Sequence, residues 1–264
     1  MSKKENVVLY VDVAIMGVAF VYLLMESFRK LPSRRMIHYL LGWICGSSAI
    51  AYAMMHEGFL AFKAMDGHTV QGAQYLDWIV TTPVQLLVVG IMAQVPFASL
   101  VGLCYLDVLM NVCGLLGEYA MGASRWIYFM VACFLFLPQW IFWYFDIDFA
   151  MLRDYFGNHV AQNYYCLGQL VFSTRILFPV IWVLYATQLL DSYQALLCYS
   201  ITAIMAKIGF CVWVLLCLSE SSSTTTPEDL SSSEGSPPVE GLEDENALSI
   251  VHASRTNSNY SSPR

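Results

Sequence analysis

Charge is scarce in this chain. Asp, Glu, Lys and Arg make up 12% of its 264 residues, about half the ~25% of an average soluble domain. Hydrophobic residues reach 58% and mean hydropathy is +0.56, a balance that argues against a soluble enzyme, and no enzymatic activity is expected. Basic residues are fewer still, 13 Lys and Arg against 20 Asp and Glu. Eight of those acids fall in residues 219–264 beside only Arg255 and Arg264, so residues 1–218 are near neutral and the tail is acidic. Nucleic-acid binding, which wants a basic face on a folded domain, is not expected. The cysteines form no CxxC pair and no metal-ligand spacing. Cys45, Cys104, Cys113, Cys133, Cys166, Cys198, Cys211 and Cys217 sit almost entirely in apolar stretches. They read as small hydrophobes, so neither a disulfide framework nor a metal site is expected.

What is abundant is apolar sequence in runs of membrane length. A ~30 Å hydrocarbon core needs about 20 apolar residues per helix. Seven such runs are present, near Asn6–Phe28, Met36–His56, Ala73–Ala93, Phe97–Glu118, Ser124–Phe145, Tyr164–Gln188 and Tyr193–Leu218. They must be helices, because lipid offers no partner for an open strand edge. The sequence therefore predicts an all-α, multi-pass membrane protein built as a seven-transmembrane bundle. The first run extends past a signal-peptide core and lacks a small-x-small cleavage site, so it reads as a retained signal anchor. The loop Arg29-Lys30-Leu31-Pro32-Ser33-Arg34-Arg35 carries four positive charges. By the positive-inside rule it is cytoplasmic, which puts the N-terminus outside and the C-terminus inside. The plasma membrane is the favoured location. Residues 1–218 form the membrane domain and residues 219–264 a disordered acidic Ser/Thr-rich tail, too poor in apolar residues to fold. Thr226-Pro227, Ser236-Pro237 and Ser262-Pro263 have the form of proline-directed phosphorylation sites, as any Ser-rich tail produces by chance.

Ionisable residues inside the spans carry the most information, since each costs about 2.5–3.5 kcal/mol at a helix centre on insertion scales. Of the basic residues only Lys207 and Arg175 lie deep in a span; the acids are Asp77 and Asp107, with Asp12 further out and Glu26 and Glu118 near ends. A desolvated lysine offers a neutral amine that can condense with an aldehyde, and the protonated imine then needs a counterion. Asp77 falls at a depth comparable to Lys207. A plain Lys–Asp pair locking two helices, as in a transporter, accounts for the same composition.

The local text separates the two. The third span reads Gln74-Tyr75-Leu76-Asp77-Trp78-Ile79-Val80-Thr81-Thr82-Pro83 and the seventh Ala206-Lys207-Ile208-Gly209-Phe210. With Asp107-x-x-Met110-x-x-x-Gly114-x-x-Gly117 and Phe178-Pro179-x-x-Trp182 following in order, residues 1–218 closely resemble the microbial (type 1) rhodopsin family. The resemblance implies covalent all-trans retinal on Lys207, with Asp77 as Schiff-base counterion and first proton acceptor. It implies Trp78 and Trp182 on either side of the polyene, and Tyr75, Thr81, Thr82, Gln85, Met110, Gly114, Phe129, Phe136, Arg175, Phe178, Pro179, Ala203 and Ala206 around it. It also implies a Thr82–Asp107 hydrogen bond, with Asp107 a protonated acid. Membrane lipid, a homo-oligomer and a cytoplasmic partner of the tail are the partners to expect. The other seven-helix class with a lysine in its last helix, the animal opsins and their receptor relatives, carries Asn-Pro-x-x-Tyr and Asp/Glu-Arg-Tyr runs, and neither occurs here.

Three positions depart from the family's outward proton pumps. A second carboxylate, an arginine and a cytoplasmic proton donor are replaced by Ala203, Gln74 and Val88. The first two losses cancel in charge and leave Lys207 and Asp77 as a one-to-one pair. The third implies slow recovery of the proton. Photosensory signalling or light-gated ion conduction is therefore expected first, a weak outward proton pump second, and a non-retinal transporter only if Lys207 binds no retinal. Gln85 leans the colour weakly to the blue. Arg175 stands where the family has a large aromatic, and is read either inside the pocket, bound to a carboxylate or water, or with its stem leaning toward the cytoplasmic half. His56-Glu57 reads as an interface pair at the outer end of the second span, with a part in an outer proton path the lesser alternative.

Overall fold

Hydrocarbon leaves a backbone only its own partners, and the apolar runs accordingly become helices. In the computed structural model, which describes residues 3–30, 32–93, 95–142 and 158–223, these are α1 (Lys3–Arg29), α2 (Pro32–His56), α3 (Gly72–Met92), α4 (Phe97–Tyr119), α5 (Ala123–Ile141) and α6 (Asn158–Ala186). The seventh, α7, is built of Ser192–Ile204, a single π-helical turn Met205–Gly209, and Phe210–Ser223. Seven of the described helices are long and apolar enough to cross a membrane. Even the shortest, α5 with 19 residues, reaches about 28 Å at 1.5 Å per residue. The predicted end of the fifth run, Trp143–Phe145, and most of the tail lie outside the described residues. The helix α7 itself continues past Leu218 to Ser223.

Local chemistry sets several ends. Asp191 opens α7 with a reciprocal cap: its carboxylate accepts from the Gln194 N–H at 2.8 Å, and Gln194 Oε1 accepts from the Asp191 N–H at 3.0 Å, worth about 1 kcal/mol. The tight turn between α4 and α5 rests on Gly122 at φ +59°, a left-handed conformation that costs glycine nothing.

Adjacent helices pack in sequence from α1 to α5, and α7 closes back onto both α6 and α1. The α5–α6 seam is aromatic, with Phe129 stacked on Trp182 at 5.1 Å and 6° and Phe136 against Phe172 at 6.0 Å. At the end carrying Arg29 and Arg35, the basic end, Leu41, Ile44, Val88, Leu167, Phe210 and Val214 form a fully buried apolar plug. In lipid such a plug is held by close fit and dispersion rather than by expulsion of water. The outside is apolar too: Val18, Ile50, Phe134 and Val212 are all more than half exposed, as a lipid-facing surface requires.

The loop between α2 and α3 holds structure that the hydropathy pattern does not announce. Strands β1 (Ala61–Lys63) and β2 (Thr69–Gln71) pair antiparallel in the register Ala61–Gln71, Phe62–Val70, Lys63–Thr69. The hairpin is tied to the end of α4 by a hydrogen bond from the Met65 N–H to the Tyr119 carbonyl, 3.1 Å. It marks the opposite, hairpin end of the bundle.

Candidate functional site

Polar and charged residues gather inside the bundle. Lys207 and Asp77 meet at its centre, each about 2% exposed, Nζ donating to Oδ2. The other carboxylate oxygen, Oδ1, lies 2.8 Å from the Ser48 hydroxyl, whose proton is shared with the Ile44 carbonyl. The Tyr52 ring lies 5.6 Å from Nζ, within cation–π range. An isolated charge here would carry a desolvation cost of several kcal/mol; the pair with its extra hydrogen bond offsets most of it.

The π turn explains how Lys207 sits where it does. A π turn leaves one helical carbonyl without its usual i+4 donor, and Ala206 O accepts instead from Gln85 Nε2 at 2.7 Å. Thr81 Oγ1 turns back onto the Asp77 carbonyl at 2.7 Å. Ala203 packs with Leu9, Tyr52, Met55 and Ala73. Thr81, Gln85, Ala203 and Ala206 thus shape the Lys207 surroundings without lining the neighbouring cavity.

That cavity, about 250 Å³, lies among α3 to α6. Its walls include Tyr75, Trp78, Thr82, Met110, Gly114, Phe129, Phe136, Arg175, Phe178, Pro179 and Trp182, all singled out in the sequence. Asn111, Gly117, Ala132, Cys133 and Leu137 also line it and were not. A Cβ on Gly114 would touch the Tyr75 ring at 3.4 Å, and one on Gly117 would crowd Tyr128 at 3.4 Å and Trp182 at 3.7 Å. An apolar, aromatic-walled slot whose floor is kept open by glycine, beginning at the residue next to Asp77, fits a flat hydrocarbon chain. Lys207 supplies the amine that could hold it.

Arg175 lines this cavity, as the first of its two readings expects. Its Nη1 donates to Asp107 Oδ1 and, at 3.1 Å, to Gln139 Oε1, while Nη2 donates to the Thr82 carbonyl at 2.9 Å. The Thr82 hydroxyl bonds Asp107 Oδ2, and Asn111 Nδ2 reaches Thr82 Oγ1 at 3.2 Å. The carboxyl of Asp107 is thus tolerated in the bundle because a guanidinium faces it. The Thr82–Asp107 hydrogen bond expected from the sequence is present, and the Arg175 guanidinium joins it as a second partner of Asp107.

Two further polar contacts escaped the sequence reading. Asp12, fully buried, accepts from the Ser200 hydroxyl at 2.6 Å; the contact joins the first and last helices and has no local signal. At the hairpin end His68 bridges Glu118 and Asp66, and Arg125 binds Asp66 at 2.6 Å. The hydrogen bond to Glu118 raises His68 above the ordinary 6.5 against the opposing effect of burial, and Asp66 adds to the rise. Burial alone would raise Asp66, but hydrogen bonds from His68 and Arg125 outweigh it and hold the carboxyl at about 2. His56 and Glu57 pair at 3.2 Å on the surface, with Glu57 79% exposed. All eight cysteines are free thiols, Cys45 and Cys211 with their sulfurs 3.7 Å apart.

Seven membrane spans around a buried lysine–carboxylate pair, beside an aromatic cavity, define an integral multi-pass protein with a buried amine at its centre. Residues 3–221 match the model of the bacteriorhodopsin-like proteins, and the chain belongs to that family, one of photoreceptors and pumps rather than enzymes. It is 25% identical over 228 residues to Opsin-1 of Neurospora crassa, covering 79% of this chain and 74% of that protein. It is 28% identical over 177 residues to Sensory rhodopsin-2 of Haloarcula vallismortis, covering 66% and 74%. The fold superposes on the light-driven proton pump rhodopsin of Coccomyxa subellipsoidea with a TM-score of 0.76 at 24% identity, over 82% of this chain and 97% of that one.

Proposed function

We propose that the chain is a retinal photoreceptor in which Lys207 holds all-trans retinal and Asp77 is the counterion and first proton acceptor, serving photosensory signalling or light-gated ion conduction. The observation that carries this reading is the buried Lys207–Asp77 pair at the edge of the glycine-floored aromatic cavity. Bound retinal would supply light absorption and a change of shape. The chain's own residues do the rest. Trp78 and Trp182 confine the polyene, Ser48 and Tyr52 steady the charges at Asp77 and Lys207, and Asp77 Oδ2, already against Nζ, is placed to take a proton from it.

Sensing or conduction ranks above pumping because of what stands at Val88. This side chain is wholly buried in the apolar plug, so a proton returning from the basic end meets an apolar side chain there in place of a carboxyl. Slow recovery prolongs whichever state the light produces, which suits a sensor or a channel. The basic α1–α2 connection supports an outside N-terminus and a cytoplasmic C-terminus, with residues 1–218 as the membrane domain and the plasma membrane as its location. The acidic, Ser/Thr-rich sequence that follows α7 would be open to a cytoplasmic partner, and the membrane domain is suited to homo-oligomers in lipid.

The test is the voltage-clamped light current of cells given all-trans retinal, with Lys207→Ala as control. A current that reverses with the ion gradient identifies a channel, and pigmented cells without current identify a sensor. A current of fixed direction identifies a pump and refutes the role assigned to Val88. Absence of any visible pigment refutes retinal binding and leaves the ion-paired transporter.

A further inference from the structure

His68 sits with a carboxylate oxygen against each ring nitrogen. Nε2 lies 3.0 Å from Glu118 Oε1, and Nδ1 is bonded to Asp66. A neutral imidazole donates from one nitrogen only, so two such contacts require either an imidazolium or a protonated carboxyl. Asp66 is not that carboxyl, because Arg125 Nη2 binds its second oxygen at 2.6 Å and its pKa is held at about 2. The mobile proton therefore lies between His68 Nε2 and Glu118 Oε1.

Glu118 lines the polar space at the hairpin end and reaches the aromatic cavity through Tyr75, which lines both. Its second oxygen receives the Tyr75 hydroxyl at 3.4 Å. Tyr75 packs edge-on against Trp78, 5.0 Å between ring centres, and lines the aromatic cavity. On the other side, His68 and Glu118 line a polar cavity of about 400 Å³ together with Lys63, Gln71 and Gln74. The charged and titratable groups around the imidazole are thus Asp66 and Lys63 from the hairpin, Glu118 from α4 and Arg125 from α5. Tyr185 from α6 meets the ring edge-on at 6.1 Å, and Glu5 from α1 and Asp191 before α7 line the adjoining space.

We propose that His68 and Glu118 form a proton-binding site at the hairpin end that exchanges with the polar cavity and is coupled to the aromatic cavity through Tyr75. The coupling rests on the chromophore reading above. With Tyr75 donating, the Glu118 carboxylate is stabilised as an anion, and His68 and Arg125 balance Asp66 and Glu118 in charge. A displaced Trp78 carries Tyr75 away from Oε2, and the carboxylate becomes the stronger base. One proton then passes from cavity water to Glu118, and it returns to water when Tyr75 comes back.

Two measurements test this. In the dark, retinal-free chain, the His68 ring NMR titration should have its midpoint above 6.5 and fall by roughly one to three units in Glu118→Gln, the range for loss of a close opposite charge. An unmoved midpoint overturns the shared proton. In the pigment, a membrane-impermeant pH dye on the hairpin side should report a flash-induced proton uptake. It should be absent in Glu118→Gln and His68→Gln and strongly reduced in Tyr75→Phe, with visible absorbance reporting that each variant folds. A shifted dark midpoint with the same dye signal in wild type and variants makes the cluster a static clasp and overturns the exchange. Failure to form pigment at all overturns the chromophore reading and the coupling with it, while the dark titration still decides the shared proton.

Discussion

Arg175→Gln removes the cation facing Asp107, and burial sets the size of the effect. The two side chains are 5% and 0% exposed, so the contact is a buried pair and not the surface kind worth about 0–1 kcal/mol. Stripping one partner from a buried pair costs about 3–5 kcal/mol, chiefly because the remaining charge stays in the bundle unmatched. Asp107→Asn should cost less, since the guanidinium keeps Gln139 Oε1 and the Thr82 carbonyl as acceptors. Removing both charges in Arg175→Gln/Asp107→Asn should recover much of the loss, giving a coupling of roughly 1–3 kcal/mol in a double-mutant cycle. The cycle is read from unfolding in SDS followed by tryptophan fluorescence, which needs no chromophore. Costs that simply add, to within about 0.5 kcal/mol, would refute the pairing. Arg175→Trp tests the same residue from the side of the cavity: it should shift the visible absorption maximum, and an unchanged spectrum and photocycle would place the guanidinium outside the chromophore's reach.

Lys207→Ala should give no visible pigment with all-trans retinal, and Lys207→Ala/Asp77→Asn, which leaves no unmatched charge, should fold better than the single variant by SDS unfolding. In Asp77→Asn the pigment should absorb at longer wavelength, because positive charge at the Lys207 nitrogen is held less firmly; visible absorbance decides it. The hairpin clasp should weaken at both ends of the pH scale. Asp66, depressed to about 2, contributes stability present above its unfolded value near 3.9 and lost as pH falls toward 2. His68, raised, contributes stability fully present below 6.5 and lost as pH rises through its folded pKa. The protection of amides 61–71 from hydrogen exchange, relative to the intrinsic rate at each pH, should therefore be greatest between those limits. Gly90→Val should cost about 1–3 kcal/mol by overpacking, since even a Cβ there would fall 2.0 Å from Leu100 Cδ2; unfolding in SDS measures it.

The helices were legible because their signal is an average over some twenty residues that lipid enforces everywhere. Lys207 and Asp77 were legible for a related reason: a charge amid apolar text is conspicuous. Most of the cavity wall followed from the resemblance, but Asn111 and Cys133 look like ordinary helix residues until α4 and α5 are placed side by side. Arg175 was conspicuous, yet its partner stands 68 residues away, and only packing could choose between the pocket and the cytoplasmic half. The His68–Glu118 contact, 50 residues apart, joins a loop histidine to a span-end glutamate, two places where charge is ordinary. The Ser200–Asp12 bond and the π turn of α7 have no sequence signature at all.

That turn has a consequence for the helix as a whole. One residue in an α-helix corresponds to about 100° of rotation and 1.5 Å of rise, so a turn that holds one residue more sets the two halves of α7 out of phase by that amount. Ala195, Tyr199 and Ala203 face inward on one side of it, and Phe210, Val214 and Cys217 on the other. Running an unbroken α-helix through the same residues would rotate one of these sets by about 100° relative to the other, whereas deleting one residue within Met205–Gly209 would let an α-helix form with their present phase kept. The irregularity at Lys207 is thus the joint by which a single helix keeps two separately indexed faces, one for the hairpin end and one for the plug.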